Sequence, residues 1–435
     1  MTVTEPRAVP TTRDRAAVLA LGAWFVLIVV ASLWGEHFGA GRIGLGVPPL
    51  HSSWRPRPGL DTLLAVGTGA GALLIAPRIV DRLRWRFVPP FAGALAGLWA
   101  VVLAANDGTK GLTRGAVTSD YREVARGIDA PLVFLDRFSA SVRAHELPVH
   151  TSGHPPGFVV VLWVLDHLGL RADVWPTALC IGGGTLAIAC IAITVREVAG
   201  EPVGRAAVPF LALSPAAIWI ATTPDAFFAG VGAAAVCATV LATSNRRTMA
   251  PAIAGGIAFA AAALLSYGLV LLAVIPVVVA VARRTVRPLV VAGSTAAAAL
   301  CVVAFTTGFW WYDGLQATRD QYWLGIASAR PFRYFVVANL AALAITCGPA
   351  AAVGLAWLRD RALWLLVGGA VAAVLVADLS AMSKGEVERI WLPFALWILP
   401  AAATATCARA PRTARALLAL QVGTALVVQT FLHSA

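Results

Sequence analysis

Long apolar runs alternate with short polar segments along the whole chain. Most of these runs have roughly the 17 to 25 residues that a helix needs to cross a bilayer. Glycine and proline inside them are compatible with membrane helices, because neighbouring helices satisfy the freed backbone groups. The pattern predicts about 13 spanning helices, at residues 16–34, 60–77, 88–105, 175–195, 205–222, 225–244, 250–266, 268–282, 288–308, 334–358, 362–380, 390–407 and 413–432.

One further apolar segment, Pro155 to Leu168, is only 14 residues long and either crosses the membrane or lies in its interface. The positive-inside rule favours the interface, because only then do the compact arginine clusters share one side. These clusters are Arg7, Arg13 and Arg15; Arg78, Arg82, Arg84 and Arg86; Arg196 and Arg205; Arg246 and Arg247; Arg283, Arg284 and Arg287; Arg359 and Arg361; and Arg409, Arg412 and Arg415. We therefore predict an interfacial helix anchored by Trp163.

The same distribution of arginines predicts a multi-pass protein of the plasma membrane. Its first helix is preceded by arginines and retained, and it keeps the N-terminus in the cytoplasm. The cytoplasmic side then has only short arginine-rich turns, and four polar motifs fall on the extracytoplasmic face. They are Ser119-Asp120-Tyr121, His154-Pro155-Pro156-Gly157, Thr222-Thr223-Pro224-Asp225 and Ser383-Lys384-Gly385-Glu386-Val387-Glu388-Arg389. We expect residues 1–87 to form an N-terminal tail with two additional helices. Residues 88–435 would form the core, with a large extracytoplasmic loop at 106–174. An active site is expected on the extracytoplasmic face.

Composition supports an integral membrane protein. Of the 435 residues, 59% are hydrophobic and 13% charged, which leaves too little polar surface for an ordinary soluble domain. The net charge of +12 would suit a nucleic-acid partner, but the basic residues are scattered in small groups between apolar runs. The expected partner is therefore the lipid bilayer and not nucleic acid. The six cysteines lie in apolar runs without a CxxC spacing, so no disulfide or zinc framework is indicated.

The longest polar interruption contains two candidates for chemistry, Asp120 and His154. Asp120, followed by Tyr121, is placed to act as general base on an acceptor hydroxyl, or else to cap a helix. His154 precedes a Pro-Pro corner that restricts its backbone, so it would donate to a phosphate or orient a base, or simply be hydrogen-bonded in place. With His145 and His150 nearby a divalent metal is conceivable, although the spacing is a weak signal.

Two later segments also carry charge at predicted helix ends. Asp225 would complement the positive end of a helix dipole, with a functional role as the alternative. Glu386, Glu388 and Arg389 stand beside a membrane helix, where charges are costly unless they are solvated or paired. Arg389 would clamp a phosphate through its planar guanidinium, or else anchor the interface with a Glu partner.

In this order the motifs resemble the GT-C superfamily of integral membrane glycosyltransferases, in particular the branch of protein mannosyltransferases and lipid A aminoarabinose transferases. The matching segments are Asp120-Tyr121, His154-Pro155-Pro156-Gly157, Thr223-Pro224-Asp225, Ser266-Tyr267-Gly268 and Glu386-Val387-Glu388-Arg389-Ile390-Trp391-Leu392-Pro393, the last as in actinobacterial members. Tyr267 stands where many members have lysine. The resemblance begins near residue 88.

The resemblance implies an all-α GT-C-like membrane enzyme. It would transfer a sugar from a polyprenyl-phosphate donor to an envelope glycan or lipid acceptor, without a nucleotide. Asp120 would be the base and His154 and Arg389 would stabilise the leaving lipid phosphate. Tyr121, Asp225, Tyr267, Glu386 and Glu388 would complete the substrate site. A transporter or flippase, and a non-catalytic assembly protein with the same fold, are the alternatives.

Overall fold

The computed structural model describes residues 12–108, 111–113, 120–244, 248–408 and 411–434, and it is built almost entirely of helices. The first half contains α1 (Thr12–Phe38), α2 (Ala40–Ile43), β1 (Ser52–Trp54), α3 (Leu60–Arg82), α4 (Val88–Ala105), α5 (Asp120–Arg126), α6 (Pro131–Arg143), α7 (Val149–Ser152), α8 (Gly157–His167), α9 (Val174–Ala199) and α10 (Glu201–Ala212). The second half contains α11 (Asp225–Ser244), α12 (Ala250–Leu265), α13 (Val274–Ala282), α14 (Arg287–Thr307), α15 (Trp311–Leu324), α16 (Phe332–Cys347), α17 (Pro349–Trp357), α18 (Arg361–Leu379), α19 (Val387–Ile390), α20 (Leu392–Ile398), α21 (Thr404–Ala408), α22 (Pro411–Phe431) and β2 (Leu432–Ser434). Short 3-10 turns lie at Trp85–Phe87, Pro215–Trp219, Tyr267–Ala273, Ile326–Ser328 and Leu399–Ala403.

Eight of the described helices are long and apolar enough to cross a membrane, and nine if the bent pair α16–α17 is one span. These helices indicate a multi-pass membrane protein, as the hydrophobic pattern predicts. The expected number of about 13 spans is not confirmed, because several predicted spans are not continuous helices.

Two of these breaks lie at a proline or a glycine. The predicted span 205–222 is a helix that ends at Ala212, followed by a 3-10 turn that begins at Pro215. The predicted span 334–358 bends by 97° at Gly348, whose φ is +76°. The predicted spans 268–282 and 390–407 are each divided between α-helical and 3-10 segments.

The segment predicted to lie in the interface forms α8, a helix of 11 residues. A helix of this length extends about 16 Å, roughly half of the hydrocarbon core. The indole nitrogen of Trp163 donates a hydrogen bond to the carbonyl of Ile128, at 3.1 Å, in the polar loop. Thus α8 is fastened to the loop that precedes it.

The outer helices expose apolar surface and the inner helices pack closely. Only 6% of the most apolar stretch of α1 or of α14 is buried within the chain, and Phe305 is 90% exposed. Surfaces of this kind suit lipid contact. Between α9 and α11 the backbones approach so closely that a side chain at Gly183 or Gly230 would collide with the opposite helix.

The N-terminal segment packs against the rest of the chain. The indole nitrogen of Trp24 in α1 donates to the carbonyl of Ala344 in α16, at 2.8 Å. Strand β1 pairs antiparallel with β2, with Ser53 opposite His433. Arg57, just after β1, forms an ion pair with Asp107 at the end of α4.

The charged groups divide between two ends of the bundle. At one end, here named the arginine-rich end, Arg283 pairs with Glu197, Arg205 donates to the carbonyl of Val80, and Arg196 lies over the ring of Trp85. The opposite end, named the polar end, carries the strand pair, the loop with α5 to α8, and the segment 380–391. Four arginines of the predicted clusters and one serine of the predicted extracytoplasmic motifs lie outside the described residues. They are Arg7, Arg246, Arg247, Arg409 and Ser119.

Candidate functional site

A buried ion cluster lies at the polar end and is centred on Arg389. One guanidinium nitrogen lies 3.3 Å from a carboxylate oxygen of Asp225, and the other terminal nitrogen contacts the carboxylate of Glu386. The side chains of Arg389, Asp225 and Glu386 are 15%, 4% and 23% exposed. The fold thus joins the start of α11 to a segment 164 residues later.

The backbone before Arg389 is held in an uncommon conformation. Gly385 and Glu386 have φ values of +91° and +60°, and for a residue with a side chain this left-handed region is unfavourable. The buried Asn339 fixes the turn: its amide donates to the carbonyl of Ser383 at 2.7 Å and accepts from the backbone of Gly385 at 3.2 Å. A strained, well-supported turn of this kind is frequent at functional sites.

His51, from the segment between α1 and α3, also reaches the cluster. Its backbone N–H donates to one carboxylate oxygen of Glu388 at 2.8 Å, and its imidazole Nδ1 lies 4.0 Å from Glu386. Glu388 is 2% exposed, and its other oxygen has no hydrogen-bond partner among the described residues. His51 is not among the residues predicted for the site, although Pro48-Pro49 is a second stiff corner close to a histidine.

Asp120 holds the chain around the corner that ends in His154. Its carboxylate accepts three hydrogen bonds, from the backbone of His150 and Thr151 at 3.0 Å each and from the hydroxyl of Thr151 at 2.8 Å. A carboxylate offers about four lone-pair sites, so one remains, on Oδ2. Asp120 thus binds the first turn of α7, 30 residues later in the chain, instead of capping the helix that it begins, and it keeps one acceptor position.

Tyr121 and His154 belong to a group of packed aromatic rings next to the ion cluster. The ring of Tyr121 lies edge-on to His154, with centroids 6.0 Å apart, and to Phe158, with centroids 5.3 Å apart. Phe228, one turn into α11, packs against His154 at 5.6 Å. The Pro-Pro corner and the start of α11 therefore meet around these rings.

Burial changes the ionisation of two of these groups. Burial, together with the positive charge of Arg389, lowers the pKa of His154 to about 3. Burial likewise raises the pKa of Glu388 to about 7, against the opposing effect of backbone hydrogen bonds. His154 is therefore neutral at physiological pH, and Glu388 is partly protonated.

Arg389 and Glu386 keep their charges in the cluster. Burial disfavours the Arg389 cation, but Glu386 and Asp225 outweigh it and raise its pKa above the ordinary value. Burial also raises the pKa of Glu386, but Arg389 and His51 outweigh it, so that the net change is downward. The site is a fixed array of opposite charges with a surplus of carboxylates.

The structure brings most of the predicted site residues together. Those that meet at the polar end are Asp120, Tyr121, His154, Asp225, Glu386, Glu388 and Arg389. Tyr267 instead packs edge-on against Trp311 at 5.5 Å. In the described part of the chain, no hydrogen bond, ion pair or ring contact joins Tyr267 to Arg389 or its partners.

Among the described residues, no group of three or more His, Cys, Asp or Glu side chains is arranged to hold a metal ion. The divalent metal considered for the loop with His145, His150 and His154 therefore has no preformed site there. Comparison with known proteins gives no matching family model, no matching curated protein and no matching solved structure.

Proposed function

We propose that the protein is a membrane glycosyltransferase that moves a sugar from a polyprenyl-phosphate donor to an acceptor hydroxyl at the outer face of the plasma membrane. The observation that carries the proposal is the buried Arg389 held between Asp225 and Glu386, beside Asp120 and Tyr121. Such a charge cluster at the mouth of apolar helices suits a substrate with a lipid tail and a polar head. The GT-C-like order of motifs supports the same reaction.

In the proposed step the acceptor hydroxyl attacks the anomeric carbon of the donor sugar from the face opposite the phosphate. A new C–O bond forms, the bond from the anomeric carbon to the phosphate oxygen breaks, and the lipid phosphate leaves with the electron pair. The acceptor proton passes to the remaining acceptor position on Oδ2 of Asp120. The configuration at the anomeric carbon is inverted.

The surrounding charges suit this transition state. Positive charge develops on the sugar ring in glycosyl transfer, and the carboxylates of Asp225 and Glu386 stabilise it. Arg389 has five N–H donors, of which two pair with these carboxylates, so others remain to bind the leaving phosphate. His154, being neutral, is able to donate a hydrogen bond to the phosphate without adding a charge.

The proposal is tested with purified protein in liposomes and a labelled polyprenyl-phosphate sugar. Asp120→Asn should lower transfer at least about a hundredfold, the scale of a lost general base. Asp129→Asn is the matched control, because Asp129 is exposed in the same loop. A melting temperature of Asp120→Asn close to wild type ensures that the loss is chemical. Full activity in Asp120→Asn would exclude Asp120 as the base.

A non-catalytic protein that binds lipid-linked sugars is a second candidate, favoured by the three hydrogen bonds that already occupy Asp120. It predicts that labelled donor is retained but never consumed with any acceptor. A transporter is less well supported, since Asp225 begins its helix and Asp378 is near the end of its own, whereas transporters carry charges near the midplane. Movement of solute without transfer would favour the transporter.

A further inference from the structure

A cleft with its own charges lies beside the ion cluster at the polar end. It has a volume of about 590 Å³ and is bounded by the end of α15, the start of α16, the end of α18 and the exposed Arg42 of α2. Its lining includes Arg42, Trp323, Arg330, Phe332, Leu379 and Lys384. None of these residues has a role in the proposed transfer.

Two cations at the cleft are buried without an acidic partner. Lys384 and Arg330 are 5% and 9% exposed. The ammonium of Lys384 donates to the carbonyls of Ala327, at 2.8 Å, and Arg330, at 3.1 Å. The guanidinium of Arg330 donates to the carbonyls of Ile43, at 2.9 Å, and Lys384.

Neither cation forms an ion pair with a carboxylate in the described ranges. Glu386 and Glu388 influence Arg330 through their charge, without an ion pair to it. Buried charges are normally paired, so two neighbouring cations that contact carbonyl dipoles and aromatic rings but no carboxylate leave a positive potential in the cleft. A third cation, Arg42, stands at its open side. This potential favours the binding of an anion in the cleft.

The rim of the cleft is apolar. Trp323, Phe332 and Leu379 are 37%, 42% and 68% exposed. The ammonium of Lys384 lies 4.6 Å from the centre of the Trp323 ring. Phe332 begins one apolar helix and Leu379 ends another, so the cleft opens where helices leave the membrane. A cationic floor below an apolar rim suits an anion that is attached to hydrocarbon.

We propose that this cleft binds the phosphate group of an anionic membrane lipid, with Lys384, Arg330 and Arg42 as its cationic partners. A compact ammonium is a common phosphate ligand, and guanidinium groups add directional donors. The apolar rim favours a lipid over free phosphate as the source. The inference does not depend on sugar transfer, since lipid binding is measured without a sugar.

The test measures lipids retained by the purified full chain in native mass spectrometry. The probes are phosphatidylglycerol, polyprenyl phosphate and zwitterionic phosphatidylcholine, with inorganic phosphate as competitor. We expect at least one of the two anionic lipids to be retained in preference to phosphatidylcholine. Lys384→Met should weaken that binding about tenfold, the effect of one lost charge-assisted hydrogen bond. Arg42→Gln, on the exposed side, should weaken it about threefold.

Arg333→Met is the matched control, because Arg333 is exposed in the first turn of α16 but does not line the cleft. It should bind lipid as wild type does. If Lys384→Met lowers the melting temperature strongly, Arg42→Gln alone decides, since its side chain lies at the surface. Wild-type affinity in Arg42→Gln, equal retention of phosphatidylcholine, or full displacement by millimolar inorganic phosphate would overturn the proposal. Whichever anionic lipid is retained identifies the source of the phosphate.

Discussion

Each end of the helical bundle has an ion pair between an arginine and a carboxylate, but the two pairs differ in their surroundings. At the polar end Arg389 and Asp225 are 15% and 4% exposed, with nitrogen and oxygen 3.3 Å apart. At the arginine-rich end Arg196 and Glu201 lie 3.2 Å apart but are 45% and 36% exposed. Exposed pairs contribute little stability, whereas a buried pair is expensive to desolvate and costly to break. The candidate site therefore differs from the arginine-rich end in the burial of its charges.

The ends also differ in protonation. At the polar end burial moves the pKa of Glu388 to about 7 and that of His154 to about 3. Perturbed ionisation that combines burial with a nearby charge partner is typical of functional sites. At the arginine-rich end, Glu201 at the start of α10 and its partner Arg196 stay in contact with solvent. Four predictions test this contrast.

The largest expected effect is topological. Cysteines placed at Ser383 and Thr248, in a chain whose exposed Cys301 and Cys407 are replaced by serine, should react with impermeant reagents from opposite sides of the membrane. We expect Ser383→Cys to react from outside, because the arginine clusters favour the cytoplasm. Both sites reacting from one side of sealed cells would show that the two ends do not face opposite compartments.

Removing the central cation should have the next largest effect. Arg389→Met leaves Asp225 and Glu386 without their buried partner, so we expect a loss of about 3 to 5 kcal/mol in unfolding free energy and a loss of transfer activity. Unfolding in mixed detergent measures the first quantity. Arg196→Met, the matched change at the other end, should cost under about 1 kcal/mol. Equal losses in both variants would contradict the contrast in burial.

The pH dependence of stability should reveal Glu388. A carboxyl whose pKa rises on folding from the ordinary 4.5 to about 7 contributes stability that is fully present below pH 4.5 and is lost as the pH rises to 7. The difference in unfolding free energy between wild type and Glu388→Gln should change by about 3 kcal/mol over this window. Taking the difference removes the opposite contribution of His154. A difference that is constant with pH would show that Glu388 is not buried as the structure places it.

The smallest effect is expected for Glu201→Gln at the arginine-rich end. Its partner Arg205 is 18% exposed, but Glu201 itself is 36% and Arg196 45% exposed, so water solvates the carboxylate and the change should cost under about 1 kcal/mol. Salt at about 1 M should abolish most of the difference from wild type, because it screens exposed charges. A salt-independent loss would indicate a desolvated pair at this end too.

Sequence predicts much of this fold because apolar runs of membrane length have few alternatives. It does not show which runs are interrupted: Pro215 and Gly348 are compatible with membrane helices, and only the packing around them decides that the helix breaks. That α8 lies in the interface stays a prediction, which charge parity over the whole chain favours. The number of spanning helices could not be predicted, because it depends on which apolar runs are interrupted.

The composition of the site is predictable only in part. Asp225 and Arg389 are each recognisable as charges at helix ends, but nothing in either segment indicates that they meet across 164 residues. His51 is overlooked because it lies in a loop far from the conspicuous motifs, although the prolines before it are visible. Tyr267 is selected by resemblance alone, and its contact with Trp311 depends on how two distant helices pack.

The most direct test of the central claim is photo-crosslinking with a polyprenyl-phosphate sugar whose sugar carries a diazirine. Mass spectrometry of the peptides then shows which end of the bundle holds the sugar. The account predicts crosslinks in residues 120–158 and 384–391, removed by excess unlabelled donor. Crosslinks confined to residues 196–205 or 283–287 at the arginine-rich end, or none above the background of unrelated membrane protein, would contradict it.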